Sequence, residues 1–305
     1  MHPASLTKDH WIIMKKDVKQ IVTDQIIELI EEHGANWTQP FASLCGAPRN
    51  ALTGNKYRGL NALLLALSRT SYAASVKQWA KLGYSCKGLG KKDKDLGIRI
   101  SVPILLKDKE TGKKKGLIFG SSTVFRAEDV ASFEDGSPYQ PPLVETVDTT
   151  TKLALVDQYI ANTGADIRHN PVGGAYYRIS EDFINLPLRE QFSATETSNA
   201  TETYYSTKLH ELTHWTGHKS RCDRLDLKNR KGYAFEELVA EIGASILCVE
   251  LGVSPVVRED HAQYIASWLQ SLGNDKSYIF DAASAAQKAV DFLDGTQAQE
   301  ERKVA

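Results

Sequence analysis

A His-Glu-x-x-His sequence, formed by His210, Glu211 and His214, carries the clearest chemistry in this chain. If the stretch is helical, the spacing of four places both imidazoles on one face, where they can bind a single metal ion. Glu211, one step round the helix, can then act as general base on metal-activated water. Gly217 is a suitable helix stop. The pattern predicts a hydrolytic metal centre, against the alternative of a surface helix that merely carries two histidines.

A third protein ligand must come from elsewhere, because a catalytic zinc ion usually has three and keeps one position open. Continuation of the motif to another histidine fails, since Ser220 occupies the required position, and His218 lies at or beyond the expected helix end. A helical pattern downstream carries Glu237 and Glu241, four residues apart on one face. One of them can bind the metal while the other accepts a hydrogen bond from a ligating imidazole. We favour Glu237 as the ligand and Glu241 as the orienting group, with the reverse left open, and we expect Glu236 to face solvent.

Length and composition limit the classes of protein to which this chain can belong. The chain has 305 residues, with 42% hydrophobic and 25% charged residues, which is typical of a soluble globular protein long enough for two domains. It contains no run of 18 apolar residues, and its first residues do not have the apolar core of a signal peptide. The four cysteines show no paired spacing and are expected to be free thiols. We therefore expect a cytoplasmic protein with no membrane partner.

Charge is divided unevenly along the chain. Residues 1–126 hold 21 Lys and Arg against 10 Asp and Glu, a net charge of +11, and the remainder carries −12. A basic half is typical of a protein that meets a polyanion, although the two halves could also attract each other. Basic grooves with aromatic side chains bind single-stranded nucleic acid. The residues with that chemistry are Trp37, Tyr57, Arg58, Trp79, Lys87, Lys91 and Lys92.

Hydrophobic periodicity predicts an α+β protein with two domains. The predicted helices of the first half cover residues 14–33, 60–67 and 72–83, and its strands cover 98–106 and 117–125. After a proline-rich linker at 134–150, we predict a helix at 153–164, strands at 175–179 and 182–187, the metal-binding helices, and two final helices. The boundaries that follow are an N-terminal α+β domain at 8–133 and a mainly helical C-terminal domain with a small sheet at 151–295.

With these motifs established, residues 15–295 resemble the ArdC-like antirestriction proteins of conjugative plasmids. In the first half the resemblance is carried by Trp37, Pro48, Asn50, Thr53-Gly54, Tyr57-Arg58-Gly59 and Asn61. In the second it is carried by Tyr176-Tyr177, Asp182, Leu186-Pro187, the run from Tyr204 to His218, and Glu236 to Glu241. The resemblance implies a single-stranded-DNA-binding domain, in which Asn61 joins the candidate DNA-binding residues. It also implies a zincin-like metallopeptidase domain, with zinc held by His210, His214 and Glu237 and with Glu211 catalytic.

The same resemblance implies a function: protection of incoming plasmid or phage DNA from host restriction, with a restriction-system component as a candidate peptidase substrate. Zinc is the expected cofactor, and another divalent transition metal would also suit the ligands. The competing hypothesis is a single-stranded-DNA-binding protein whose metal site is structural or regulatory, without proteolysis. A nuclease is disfavoured, because the sequence has no carboxylate cluster typical of magnesium sites.

Overall fold

The computed structural model describes residues 18–33, 44, 46–87, 96–107, 114–142, 148–195, 198–225, 230–254 and 261–297, with backbone alone at 18, 33, 103–107, 114–119, 230–231 and 261–265. Its α-helices are α1 (Val18–His33), α2 (Gly59–Leu67), α3 (Val76–Lys81), α4 (Thr149–Asn162), α5 (Ala200–Thr216), α6 (Arg230–Leu251), α7 (His261–Asn274) and α8 (Tyr278–Gln297). Its strands are β1 (Arg49–Asn50), β2 (Tyr72–Ala74), β3 (Tyr84–Cys86), β4 (Ile98–Lys107), β5 (Lys114–Arg126), β6 (Val130–Ser132), β7 (Asp166–His169), β8 (Tyr176–Arg178) and β9 (Phe183–Leu186). The α+β fold class is confirmed.

The first half is built on a four-stranded sheet in the order β1-β2-β5-β4. The long β4–β5 hairpin is antiparallel, with Ile98 opposite Val124. Alternation of apolar and polar residues buries one face of this hairpin against α1 and α2, which is why Ile98, Ile100 and Val124 enter the core. The tip of the hairpin, residues 108–113, lies outside the described residues.

A helix predicted at 72–83 is wrong in its first part. Tyr72–Ala74 is strand β2, which pairs in parallel with β1 and antiparallel with β5, and the helix α3 begins only at Val76. Ser75 starts this helix with a capping box in which the side chain of Gln78 accepts from the Ser75 backbone N–H. Pairing with a distant strand overrides the local helical pattern, because it satisfies the backbone groups of all three residues.

The second half contains a three-stranded sheet in the order β7-β9-β8. The central strand β9 is buried along its whole length, and it pairs in parallel with β7 and antiparallel with β8. The strands predicted at 175–179 and 182–187 correspond to β8 and β9. The strand β7 has no counterpart among the predicted elements, because three of its four residues are exposed and its sequence does not alternate in hydrophobicity.

Helices α5 and α6 pack closely against each other and carry the residues of interest. Asn199 caps α5: its side chain accepts from the Glu202 backbone N–H at 3.0 Å, and the Glu202 side chain accepts from the Asn199 N–H at 3.0 Å. Gly243 of α6 lies directly against Thr213 of α5, where a Cβ would be 2.6 Å from the Thr213 methyl group. The missing side chain at residue 243 is therefore what allows the two helices to approach.

One hydrophobic core joins the two halves of the chain. Helix α2, from the first half, packs against α8, and α1 packs against α7. Buried apolar residues of α2, including Leu63 and Leu65, belong to the same cluster as Leu238 and Ile242 of α6. Polar contacts reinforce this junction, with the Gly59 backbone N–H donating to Gln287 Oε1 at 2.7 Å. In the part of the chain that the structure describes, no helix is long and apolar enough to cross a membrane.

Candidate metal centre and nucleic-acid surface

Donor atoms of His210, His214 and Glu237 converge on one point between α5 and α6. The Nε2 atoms of the two imidazoles are 3.1 Å apart. Glu237 places Oε2 3.6 Å from His210 Nε2 and Oε1 3.5 Å from His214 Nε2. Two nitrogen atoms and one carboxylate form the donor set of many hydrolytic zinc centres. These three donor atoms lie within 4.8 Å of one another, an arrangement that fits a metal ion bound between them.

A separate carboxylate lies beside the Nδ1 atom of each imidazole. Glu241 Oε1 is 2.8 Å from His210 Nδ1, which is within ion-pair distance. Glu236 Oε1 lies 3.0 Å from His214 Nδ1. A carboxylate at Nδ1 keeps the ring proton there and leaves Nε2 free to bind a metal.

The expectation that Glu236 faces solvent is wrong, since only 4% of the residue is exposed. The number of partners required points to Glu236: two ligating histidines need two orienting acceptors, and residues 230–241 of α6 offer three glutamates for one ligand position and two orienting positions. The periodicity of α6 alone does not reveal this, because Glu236 points to a different side of the helix from Glu237 and Glu241.

Arg224, in the chain that returns from α5, holds Glu236 in place. Its Nε donates to Glu236 Oε2 at 3.0 Å and its Nη2 to Oε1 at 2.9 Å. The same guanidinium donates to Thr216 Oγ1 at 2.6 Å and to the carbonyl oxygen of Thr213. A buried carboxylate needs a positively charged partner, and a bidentate ion pair with arginine also fixes the orientation of the carboxylate. No motif in the sequence identifies Arg224, because its role depends on the path of the loop after α5, which brings it next to Glu236.

Glu237 is held as a carboxylate. Burial by itself raises its pKa, but the hydrogen bond with His210 and the charges of both imidazoles outweigh burial and lower the pKa to about 2. The side chain of Tyr233, one turn earlier on α6, also hydrogen-bonds to Glu237 and lowers its pKa. Tyr233 is 44% exposed, and it lines a cleft together with Glu237.

These residues open onto a cleft of about 620 Å³ between α5, α6 and the three-stranded sheet. Glu211 is almost fully buried and lines the cleft together with Tyr233. Strand β8 forms the facing wall through Tyr176 and Tyr177, with Ile179 beyond it. Because β8 lies at the end of the strand order, its outer edge has no strand partner among the described residues.

A polar network fixes the β8–β9 hairpin to the end of α5. Tyr177 donates to Asp182 Oδ1 at 2.7 Å, and Arg221 binds Asp182 through both Nη atoms. The Arg221 hydrogen bond is the main cause that holds the pKa of Asp182 below its usual value, so this residue remains charged at neutral pH. Arg221 also stacks on the Trp215 ring, 3.9 Å from its centroid. The wall of the cleft is thus anchored to the helix that carries both histidines.

His218 is not among the converging donors. Its Nδ1 lies 2.7 Å from Ser220 Oγ, in the turn that follows α5. Helix α5 ends at Thr216, with Gly217 as its cap, and this change of direction separates His218 from the face that carries His210 and His214.

Two of the candidate DNA-binding residues have structural roles instead. Trp79 is fully buried, its Nε1–H donates to the carbonyl oxygen of Phe125 at 2.9 Å, and its ring packs against Tyr139. It cannot stack on a base in this fold, so its assignment as a DNA-binding residue is wrong. The amide of Asn61 donates to the carbonyl oxygen of Ser101 at 2.7 Å and accepts from the Ser101 N–H at 2.9 Å, which ties α2 to β4. Both of its polar groups are therefore used within the protein.

The other described candidates reach the surface. Lys87 is exposed directly after β3. Arg58 is exposed and forms an ion pair with Asp291 of α8, whereas Tyr57 is half-buried at the junction of the two halves. The Tyr57 hydroxyl donates to the carbonyl oxygen of Ala73 at 3.1 Å. Outside the described residues lie Trp37, Lys91 and Lys92.

Comparison with family profiles assigns most of the chain. Residues 154–285 match a family described as zincin-like metallopeptidase, and residues 16–102 match the N-terminal domain of the anti-restriction factor ArdC. The two matches follow the two halves of the chain. The metal-donor residues and the cleft all fall within the first of these ranges.

Similar proteins occur among curated sequences. The uncharacterized protein y4eC of Sinorhizobium fredii is 32% identical over 97% of this chain and 98% of its own length. A DNA primase TraC of Escherichia coli is 34% identical and matches 92% of this chain, but the match covers only 27% of that protein. A second TraC primase is 32% identical, with 20% of its length covered. This chain therefore spans about a quarter or less of the length of the TraC primases that it matches.

Two solved structures share the fold. The metal-free crystal structure of the antirestriction ArdC protein from plasmid R388 superimposes with a TM-score of 0.72 at 35% identity, covering 93% of this chain and 98% of that one. The Mn(II)-bound structure of the same protein gives a TM-score of 0.71 at 34% identity, covering 93% and 99%. Agreement at this level extends over both halves, including their arrangement in one body.

Proposed function

This chain belongs to the ArdC family of antirestriction proteins, and from that premise we propose that it is a metal-dependent peptidase that also binds single-stranded DNA and protects incoming DNA from host restriction. The observation that carries the peptidase proposal is the convergence of His210, His214 and Glu237, with Glu211 lining the same cleft. The match to the ArdC N-terminal domain and the basic first half support the DNA-binding proposal.

A divalent cation fits the three donors, and zinc is the ion that we propose, since two imidazoles and one carboxylate form a characteristic zinc donor set. The related ArdC protein with bound Mn(II) shows that this fold accepts a divalent ion in that protein. When bound, such an ion supplies Lewis acidity, which polarises a carbonyl group and makes water more acidic. His210, His214 and Glu237 hold it, while Glu241 and Glu236 keep the imidazoles in the correct orientation.

Glu211 is the proposed general base. It takes a proton from the attacking water and delivers it to the leaving amine of the cleaved peptide bond. Its position next to His210 in the helix and its near-complete burial in the wall of the cleft support this role. Glu237, which hydrogen-bonds to an imidazole and stays ionised, serves as a ligand and not as the base.

The substrate that the cleft fits is an extended polypeptide. Strand β8 lines the cleft and ends the strand order of its sheet, and an extended chain can add to an edge strand through backbone hydrogen bonds. Tyr233 faces the same space, and its hydroxyl, by turning away from Glu237, can donate a hydrogen bond to the oxygen that becomes negative during attack on the carbonyl group. A protein of the restriction system is the substrate that we propose, in keeping with the antirestriction family.

Glu211→Gln is the experiment that tests the peptidase proposal. We expect it to lower turnover of a peptide library by about 10²- to 10⁴-fold, the usual contribution of a general base, while zinc still binds, because the substitution alters none of the proposed ligands. Turnover is measured by mass spectrometry of the products, and zinc content by elemental analysis. Glu181→Gln is the control, since it removes an exposed carboxylate near the cleft.

Full turnover by Glu211→Gln would contradict its role as base. Absence of any turnover in the zinc-loaded wild-type protein, with substrates that include restriction subunits, would favour the alternative of a DNA-binding protein whose metal site is structural or regulatory. Binding of an oligo(dT) strand, measured at several salt concentrations, tests the DNA-binding proposal separately, because phosphate contacts make affinity fall as salt rises.

A further inference from the structure

A second, partly open cavity lies where the two halves of the chain meet, and none of the metal donors lines it. Its inner wall is apolar and includes Ala62 and Ala66 of α2 with Ile246 and Val249 of α6. Its rim on the side of the first half includes Lys56, Tyr57 and Arg58, three consecutive residues before α2. We call this space the junction cavity.

The two cations on the rim are paired with carboxylates of the other half. Lys56 Nζ lies 2.9 Å from Glu250 Oε1, at the end of α6, and Arg58 pairs with Asp291 of α8. The side chains of Lys56 and Arg58 are 40% and 60% exposed. Ion pairs exposed to this degree contribute little to stability and are weakened by salt, so both cations can exchange partners without loss of the fold.

The rim has the parts that a single strand of nucleic acid needs. Lysine and arginine bind backbone phosphates, arginine through two hydrogen bonds at once. A flat aromatic side chain such as Tyr57, next to an apolar wall, provides a surface on which a base can stack. The lining holds two cations, Lys56 and Arg58, and two carboxylates, Glu250 and Asp294, the second of which accepts a hydrogen bond from the Tyr159 hydroxyl. A phosphate therefore binds here by replacing the carboxylate partners of Lys56 and Arg58.

We propose that the junction cavity binds single-stranded DNA, with a base against Tyr57 and the apolar wall and with phosphates replacing Glu250 and Asp291 as the partners of Lys56 and Arg58. The proposal rests on the single-stranded-DNA binding proposed above and assigns it a site. The carboxylates of the second half then act as competitors of DNA. A strand bound here contacts the loop before α2 and the ends of α6 and α8, so it bridges both halves of the molecule.

Competition predicts opposite effects for the two sides of each ion pair. Lys56→Ala and Arg58→Ala are each expected to weaken oligo(dT) binding about three- to tenfold and to reduce the slope of log affinity against log salt by about 0.7. Glu250→Gln and Asp291→Asn are expected to strengthen binding about two- to fivefold at low salt, because they free a cation and remove a negative charge. The oligo(dT) affinity of Arg58→Lys should fall between those of wild type and Arg58→Ala, since lysine keeps the charge but loses the bidentate contact with phosphate.

The measurement is fluorescence anisotropy of a labelled oligo(dT) strand with the full chain, together with the thermal midpoint of each variant. Lys219→Ala and Glu128→Gln are controls, since both remove an exposed charge outside the cavity rim. If the ion pairs only join the halves, all four rim variants lower the thermal midpoint and none strengthens DNA binding, which would overturn the proposal. Unchanged affinity in all four would also overturn it. A wild-type chain that fails to bind oligo(dT) at low salt would instead refute the DNA-binding function itself, and the assigned site with it.

Discussion

At the scale of single residues, the proposed metal centre depends on carboxylates that would orient the ligands without being ligands themselves. His210 and His214 are the proposed nitrogen donors, and Glu241 and Glu236 lie beside the Nδ1 atoms of the two rings. Glu236 is in turn fixed by Arg224. His214, Glu236 and Arg224 thus form a series of contacts. This series fixes the histidine that lies nearer the end of α5, where the backbone is less constrained.

Glu236→Gln tests this support. We expect it to weaken zinc affinity about 10- to 100-fold, because an amide is a poorer acceptor for the His214 ring proton and a poorer partner for Arg224. Affinity is measured by competition with a chromophoric chelator. Glu250→Gln, on the same helix, is the matched control and should leave zinc affinity unchanged. Equal affinity for wild type and Glu236→Gln would show that Arg224 and Glu236 serve the fold alone.

Tyr233→Phe separates catalysis from metal binding. Loss of the hydroxyl should lower kcat about 10²- to 10³-fold with little change in KM, as for other single donors to a developing oxyanion. Zinc affinity should stay within a few fold, because Glu237 keeps its contacts with both imidazoles. Tyr176→Phe, on the opposite wall, is the control. A large fall in zinc affinity with Tyr233→Phe would mean that the hydroxyl merely positions Glu237.

At the scale of elements, the distance between α5 and α6 determines whether the donors meet. Two histidines on one helix and one glutamate on the next reach a common point only if the helices approach closely at their crossing. Gly243 against Thr213 provides this approach. The network of Tyr177, Asp182 and Arg221 places the β8 edge along the opposite wall, so two contacts outside the donor set determine the shape of the cleft.

Gly243→Ala is expected to lower the free energy of unfolding by about 1–3 kcal/mol, because the new methyl group overlaps the Thr213 side chain. Thr213→Ser removes the overlapping methyl group and should restore much of the stability in the double variant. Gly273→Ala on α7, where no atom lies within 4 Å of the added Cβ, is the control. Chemical denaturation measures all of them. Destabilisation of Gly243→Ala that Thr213→Ser leaves unchanged would argue against the proposed contact.

At the scale of the whole molecule, the two halves behave as one body because they share a core. The apolar residues of α2 pack against α8, and the buried cluster runs from Val22 to Leu293 without regard to the predicted linker. Even the predicted linker packs against the folded chain, since the Tyr139 ring contacts the Trp79 ring. The opposite net charges of the halves add attraction across this junction.

A shared core predicts a single cooperative unfolding transition for the full chain. Calorimetry should give a van't Hoff enthalpy equal to the calorimetric enthalpy, since neither half can keep its apolar surface buried alone. For the same reason, residues 151–297 expressed by themselves should lack a cooperative transition and expose apolar surface to a hydrophobic dye. Residues 46–142, also expressed alone, are the companion fragment. Two resolved transitions in the full chain would contradict this prediction.

The sequence by itself determined what is local. A helix repeats every 3.6 residues, so the spacing of His210, Glu211 and His214 is sufficient to place them together, and the same rule pairs Glu237 with Glu241. Their roles as ligands and base remain predictions until the metal and the kinetics are measured.

Only the tertiary structure decided what depends on how distant segments meet. It turned Glu236 inward to His214, gave Arg224 its partner, buried Trp79, and made a strand of Tyr72–Ala74. The physical reason is common to all four: the environment of each residue is supplied by elements far away in the sequence, and no local periodicity encodes the angle at which two helices cross or the strand with which a segment pairs.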